Sequence, residues 1–159
     1  MEEINLTTTI KKLTYDELTA QQKNIVNLAR TACKNSYSPY SHFSVGTALE
    51  LDDGTTLSAN NQENAAYPSG QCAERNLLFY TKANYPQQAI VRMAISAKNQ
   101  DTITSKPVTP CGACRQVILE TAHRQNTPIE LILVGADETY IIDDATTLLP
   151  LQFDANNML

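Results

Sequence analysis

Three cysteines and one glutamate carry the chemistry open to this chain. Cys72, Glu74 and Arg75 stand together in Gln71-Cys72-Ala73-Glu74-Arg75, and Cys111 and Cys114 in Pro110-Cys111-Gly112-Ala113-Cys114. Cysteines three apart on the first turn of a helix can turn both sulfurs toward one point, and Cys72 can supply a third from another helix start. Three protein ligands on zinc leave the fourth tetrahedral position open to water, the mark of a catalytic site, whereas a structural site closes all four. Glu74, two residues past Cys72, can reach that water without binding the metal. Unpaired N–H groups and the positive dipole end at a helix start favour thiolate over thiol. Arg75 adds a full positive charge beside three thiolates whose net charge with a dication is about −1.

A Cys-x-x-Cys pair alone is ambiguous, because redox pairs and closed zinc sites share it. A closed site would draw its fourth ligand from Cys33, His42 or His123, and Glu74 would then be idle. A thioredoxin-like redox pair would follow a first strand and leave the third cysteine unexplained. Cys33 reads as a small core residue of the first helix, and the two histidines as surface or hydrogen-bonded groups. Arg115 is either an ordinary helix arginine or a partner of the thiolates.

The elements that must position these groups follow from local pattern. Thr14-Tyr15-Asp16-Glu17 has the form of a capping box. Leu18, Ile25, Leu28, Ala29 and Ala32 on one face predict a helix to about Lys34. A polar loop through Pro39 leads to a strand over 43–51, a turn at Asp52-Asp53-Gly54 and a returning strand over 55–60. The polar stretch 61–70 leads straight into Cys72 and is a natural place for substrate contacts. A helix over 72–84, a strand over 90–97, a helix opening with Pro110 in its first turn, and strands over 129–135 and 140–142 complete the order. Crossover helices between strands imply parallel pairs and helices on both faces.

The chain has 159 residues, 42 % of them hydrophobic and 18 % charged, which suits one globular domain. Residues 1–13 read as a loose arm and 145–159 as a short helix and tail. Seventeen acidic against twelve basic side chains give a formal charge of −5, against a polynucleotide partner. An acidic start, no membrane-length apolar run and reduced thiols predict a cytoplasmic setting with no membrane partner.

Read together, the blocks Ser38-Pro39-Tyr40-Ser41-His42-Phe43, Asn61-Gln62-Glu63-Asn64-Ala65-Ala66-Tyr67, Cys72-Ala73-Glu74-Arg75 and Pro110-Cys111-Gly112-Ala113-Cys114-Arg115-Gln116 resemble the cytidine deaminases, and the similarity runs on to Leu148-Leu149-Pro150 and Phe153. The resemblance implies an α/β fold, a three-layer α/β/α sandwich around a mixed five-stranded sheet, and one Zn²⁺ per chain on Cys72, Cys111 and Cys114. It implies hydrolytic deamination of cytidine and 2′-deoxycytidine in pyrimidine salvage, with Glu74 as proton shuttle. Phe43 would pack on the pyrimidine, Asn61 and Glu63 would bind the ribose hydroxyls, and Ala73 would touch the substrate. Arg75 would donate to the thiolates. The resemblance further implies a homotetramer in which Phe153 lines a neighbour's site; the Asn- and Gln-rich ending after it departs from the family's pattern. A non-catalytic zinc scaffold and a nucleic-acid editing enzyme are the competing classes; Glu74 speaks against the first, the acidic charge and short length against the second.

Overall fold

The computed structural model describes residues 1–158. Its strands are β1 (Lys11–Leu13), β2 (Phe43–Leu51), β3 (Thr56–Asn60), β4 (Ile90–Asn99), β5 (Thr102–Ile103), β6 (Glu130–Val134) and β7 (Thr139–Ile142). Its helices are α1 (Ala20–Ala32), α2 (Ala73–Asn84) and α3 (Gly112–Gln125). All seven strands share one sheet in the order β1-β7-β6-β4-β2-β3, with β5 folded back on the end of β4. The β4–β6 pair is parallel and the remaining pairs are antiparallel. Parallel neighbours need a long crossover, and α3 is the helix that spans this one.

Alternation along the central strands divides the core in two. Met93 and Ile95 of β4 point with Leu49, Leu131 and Leu133 toward Leu77 and Leu78 of α2 and Ile118 of α3. Ala94 points the other way, with Ala48 and Ile132, toward Ile25, Val26 and Ala29 of α1. Helices therefore cover both faces, and the three-layer architecture expected from the motifs is the one observed. Strands buried on both faces read as continuous aliphatic runs, as Leu131–Val134 of β6 does. Small residues let α1 lie close to the sheet. A Cβ built on Gly46 would sit 2.1 Å from the Ala29 carbonyl oxygen and 2.6 Å from the Cys33 nitrogen, so only glycine fits.

Two strands exceed the five expected. In the stretch read as a loose arm, β1 pairs with the edge of β7, Lys11 opposite Ile141 and Leu13 opposite Thr139. Ion pairs of Lys11 with Asp143 (2.6 Å) and of Lys12 with Glu138 fasten it. Three residues are too few for a period to show, so this strand depends on the waiting edge. β5 is shorter still. The first helix also starts later than its first capping signal. Thr14 and Glu17 close only a single 3₁₀ turn, with Thr14 N and Oγ1 donating to the Glu17 carboxylate at 2.7 and 2.8 Å. Leu18 then turns extended and buries its side chain. A second box, Thr19 with Gln22, opens α1. The tail forms 3₁₀ turns at Ala145–Leu148 and Ala155–Met158. No described helix is long and apolar enough to cross a membrane.

Candidate active site

Cys72 is the N-cap of α2 and Cys111 the N-cap of α3, both with extended backbones that turn their side chains out of the helix axis. Pro110, expected in the first turn, instead precedes the cap, because Cys111 takes the capping position. Cys114 follows three residues into α3 and is fully buried. The Sγ atoms stand 4.0 Å apart for Cys72–Cys111 and 3.5 Å for Cys111–Cys114, and all three lie within 4.8 Å of one another. A tetrahedral zinc with Zn–S bonds of about 2.3 Å spaces its sulfurs about 3.8 Å apart. The donor set therefore fits zinc in chemistry and in spacing.

Among the described residues no fourth His, Cys, Asp or Glu joins this cluster. Cys33 lies buried under α1, its thiol on the carbonyls of Ala29 and Ser96. His123 faces Asp154 near the end of α3, and His42 sits in the loop before β2. The closed-site alternative thus loses each ligand it would need.

Electrostatics in the cluster are those of sulfurs crowded at one point. The Cys72 thiol is drawn down to about 5 by its hydrogen bond with Cys114, helped by the Arg75 guanidinium, whose Nη2 lies 3.9 Å from the sulfur. Cys114, hydrogen-bonded to that thiolate and buried, is pushed up. One thiolate forms readily and the next resists, a conflict that a dication at the centre would relieve. Glu74 is 5 % exposed, and burial raises its carboxyl above the ordinary range, with the Cys72 charge adding to the effect.

A cleft of about 530 Å³ opens onto Cys72, Cys111 and Glu74. Phe43, Asn61, Glu63 and Ala73, each singled out from sequence, line it together with Cys72, Glu74 and Cys111. The loop that carries two of them is held as a short ribbon. Gln62 exchanges both backbone hydrogen bonds with Gln71, at 3.0 and 2.9 Å, while Tyr37 N donates to Asn61 O and Glu63 N to Tyr37 O. Asn61 has a structural task that its residue type did not disclose. Its Oδ1 accepts from Ser36 Oγ (2.6 Å) and Val45 N (2.7 Å), and its Nδ2 donates to the Phe43 carbonyl (2.9 Å). One N–H of Nδ2 is left for a ligand, and the clamp fixes the start of β2 from which Phe43 projects. Glu63 Oε2 accepts from the backbone nitrogens of Tyr40 and Ser41 at 2.9 and 3.3 Å, which anchors the carboxylate where it lines the cleft.

Sequence reading missed Val45, Ile95, Val108 and Thr109, which also line the cleft. Val45 was within reach, because it lies two residues past Phe43 on the same face of a strand. Val108 and Thr109 come from an irregular loop with no local signal. Phe153 does not line the cleft of its own chain. Its carbonyl accepts from Gln116 Nε2 (2.8 Å), and the residue is 60 % exposed.

Comparison with known proteins places this geometry among relatives. The family model described as the cytidine and deoxycytidylate deaminase zinc-binding region matches residues 19–127. A cytidine deaminase of Halalkalibacterium halodurans is 41 % identical over 96 residues, which are 60 % of this chain and 68 % of that one. One from Sporosarcina psychrophila is 39 % identical over 98 residues, 62 % of this chain and 68 % of the relative. The crystal structure of a Burkholderia pseudomallei cytidine deaminase matches with a TM-score of 0.71 at 31 % identity, covering 86 % of this chain and 100 % of that one.

Proposed function

Because the chain belongs to the cytidine and deoxycytidylate deaminase family, we propose that it hydrolyses the exocyclic C–N bond of cytidine and 2′-deoxycytidine, giving uridine, 2′-deoxyuridine and ammonia in pyrimidine salvage. The observation that carries this reading is the cluster of three sulfurs at zinc-ligand spacing with a buried carboxyl beside it on the wall of one cleft. Cys72, Cys111 and Cys114 would hold one Zn²⁺. Zinc at that position supplies a Lewis acid that brings the pKa of water toward neutrality.

The remaining work falls to the chain's own side chains. Glu74 takes a proton from water and delivers it to N3 of the pyrimidine, which makes C4 more electrophilic. It then carries a proton to the departing amine, so one buried carboxyl serves both transfers. Burial suits it to this, because a carboxyl raised above its ordinary pKa gives up and regains a proton more evenly near neutral pH. Phe43 packs on the ring. Ala73, at the first turn of α2, bounds the base beside Glu74. Asn61 donates and Glu63 accepts at the sugar hydroxyls, so a free base strands a charged acceptor and should react poorly. A substrate phosphate near Glu63 would meet like charge, which favours nucleosides over nucleotides. Arg75 holds the Cys72 thiolate.

Phe153 does not line its own cleft and is exposed, which supports a role in the site of a neighbouring subunit within a homotetramer. The deciding experiment couples metal analysis to cytidine turnover. One zinc per chain with loss of the amino-pyrimidine absorbance is expected. A zinc-loaded protein that leaves cytidine and deoxycytidine untouched would end the proposal.

A further inference from the structure

Among the three sulfurs, that of Cys111 has the least support from its own element. Cys114 lies inside α3, and Cys72 follows Gln71, whose backbone is bonded in both directions. Cys111 is exposed at the end of an irregular loop. That loop is packed where it leaves the sheet: a Cβ on Gly135 would lie 2.4 Å from the Ser105 carbonyl oxygen, so glycine is required for the approach. From Lys106 to Pro110, among the described residues, it is tied by a single hydrogen bond, from Arg115 Nε to the Pro110 carbonyl at 2.9 Å.

The same guanidinium reaches a second carbonyl. Its Nη1 donates to Leu148 O at 3.1 Å, at the end of the 3₁₀ turn Ala145–Leu148, where helical carbonyls run out of internal partners. The neighbouring acceptors of that turn are also taken. Thr8 Oγ1 donates to Thr147 O at 2.6 Å and Gln152 Nε2 to Thr146 O at 3.0 Å. One residue along α3, Gln116 holds the Phe153 carbonyl.

We propose that Arg115 is a positioning residue: its guanidinium sets the Pro110–Cys111 peptide so that the Cys111 sulfur meets the other two, and ties that setting to the C-terminal segment from Leu148 to Phe153. The planar fork of arginine suits the task, since two donors in fixed relation bridge two carbonyls that a lysine would have to choose between. Pro110 contributes a fixed φ, so the remaining freedom of this peptide is the one that a hydrogen bond to its carbonyl removes. Metal occupancy and order of the C-terminal segment are thereby coupled. The inference rests on the zinc reading above but not on the identity of the substrate.

The test measures zinc affinity by competition with a chromogenic chelator in the unaltered chain, Arg115→Met and Arg115→Lys. It adds hydrogen exchange of residues 145–153 with and without zinc. Loss of a group that orients a metal ligand costs about 10- to 100-fold in affinity. Arg115→Met should show that loss, and zinc should no longer slow exchange in the C-terminal segment. Arg115→Lys, which keeps the charge and guards against a misfolded Met variant, should bind zinc about tenfold more weakly. Unaltered affinity in Arg115→Lys, or exchange that responds to zinc as before in either variant, overturns the proposal. A mere drop in melting temperature with normal zinc affinity does so too, since that is what a structural role alone predicts. Zinc bound tightly by a chain that spares cytidine overturns the function reading and leaves this one standing; no zinc bound overturns both.

Discussion

The sulfur of Cys72, at the start of α2, lies 4.0 Å from that of Cys111 at the start of α3, although 39 residues separate them in the chain. The two helices lie on one face of the sheet and present their N-terminal ends to one point. Each sulfur is then accessible from the cleft, while the apolar faces of both helices are spent on Leu77, Leu78 and Ile118 in the core. The meeting of the two sulfurs is thus a consequence of helix packing.

Replacing either cap cysteine should separate metal from fold. Cys72→Ser and Cys111→Ser keep the N-cap geometry, since serine caps well, but remove a thiolate. Both variants should remain folded by circular dichroism while zinc per chain falls well below one and turnover disappears. Stoichiometric zinc in either variant contradicts the three-ligand assignment.

Glu74→Gln preserves shape and removes the transferable proton. Zinc content should stay at that of the parent, and kcat should fall by about 10²- to 10⁴-fold, the usual contribution of a positioned general acid–base group. Metal analysis and steady-state kinetics on one preparation decide it. A variant as active as its parent would mean that the proton travels by another route.

Glu63 offers a pH-dependent check. Its carboxyl is held below the usual range chiefly by the Ser41 hydroxyl, which outweighs the opposing effect of burial, with the backbone N–H groups of Tyr40 and Ser41 adding to it. A lowered carboxyl stays ionised above its unfolded value, and what it contributes is lost only as pH falls through the folded value. KM for cytidine should therefore be flat across the neutral range as far as this group is concerned, rising only once the pH falls below the ordinary carboxylate range. Glu63→Gln should weaken kcat/KM for cytidine about ten- to hundredfold, since a charged acceptor is lost. Equal rates for cytidine and cytosine in the parent would remove the sugar contact from the scheme.

Phe153→Ala leaves the cleft of its own chain untouched. If the ring serves a neighbour, kcat/KM should drop at least severalfold with little change in melting temperature, because the residue is 60 % exposed within its own chain. Size-exclusion chromatography coupled to light scattering should report a tetramer for the parent. An active monomer would refute the shared site.

Gly46→Ala tests the packing of α1. The new methyl would meet the Ala29 carbonyl and the Cys33 backbone nitrogen, neither of which can swing aside. Overpacking of this kind costs about 1–3 kcal/mol and occasionally more, and backbone neighbours place this site at the upper end. Urea unfolding should show a lower midpoint at unchanged slope; an unshifted midpoint would mean that α1 yields freely.

Residue type and local period sufficed for the β2–β3 hairpin and the three-layer arrangement, and they singled out the three cysteines that meet at one point and the glutamate beside them, because each is written in neighbouring residues: a Cys three before another, a Glu two after a Cys, aliphatics repeating at 2 or 3.6. What lay beyond local pattern needed partners distant in sequence. β1 is a strand because β7 leaves an edge open to it, and α1 starts at its second capping box because Leu18 turns inward to be buried. The clamp of Asn61 on Phe43 and Val45, the bridge of Arg115 between Pro110 and Leu148, and the walls formed by Val108 and Thr109 exist only once strands, helices and loops have met. Hydrogen bonds between remote residues leave no period behind, so tertiary structure alone decides them.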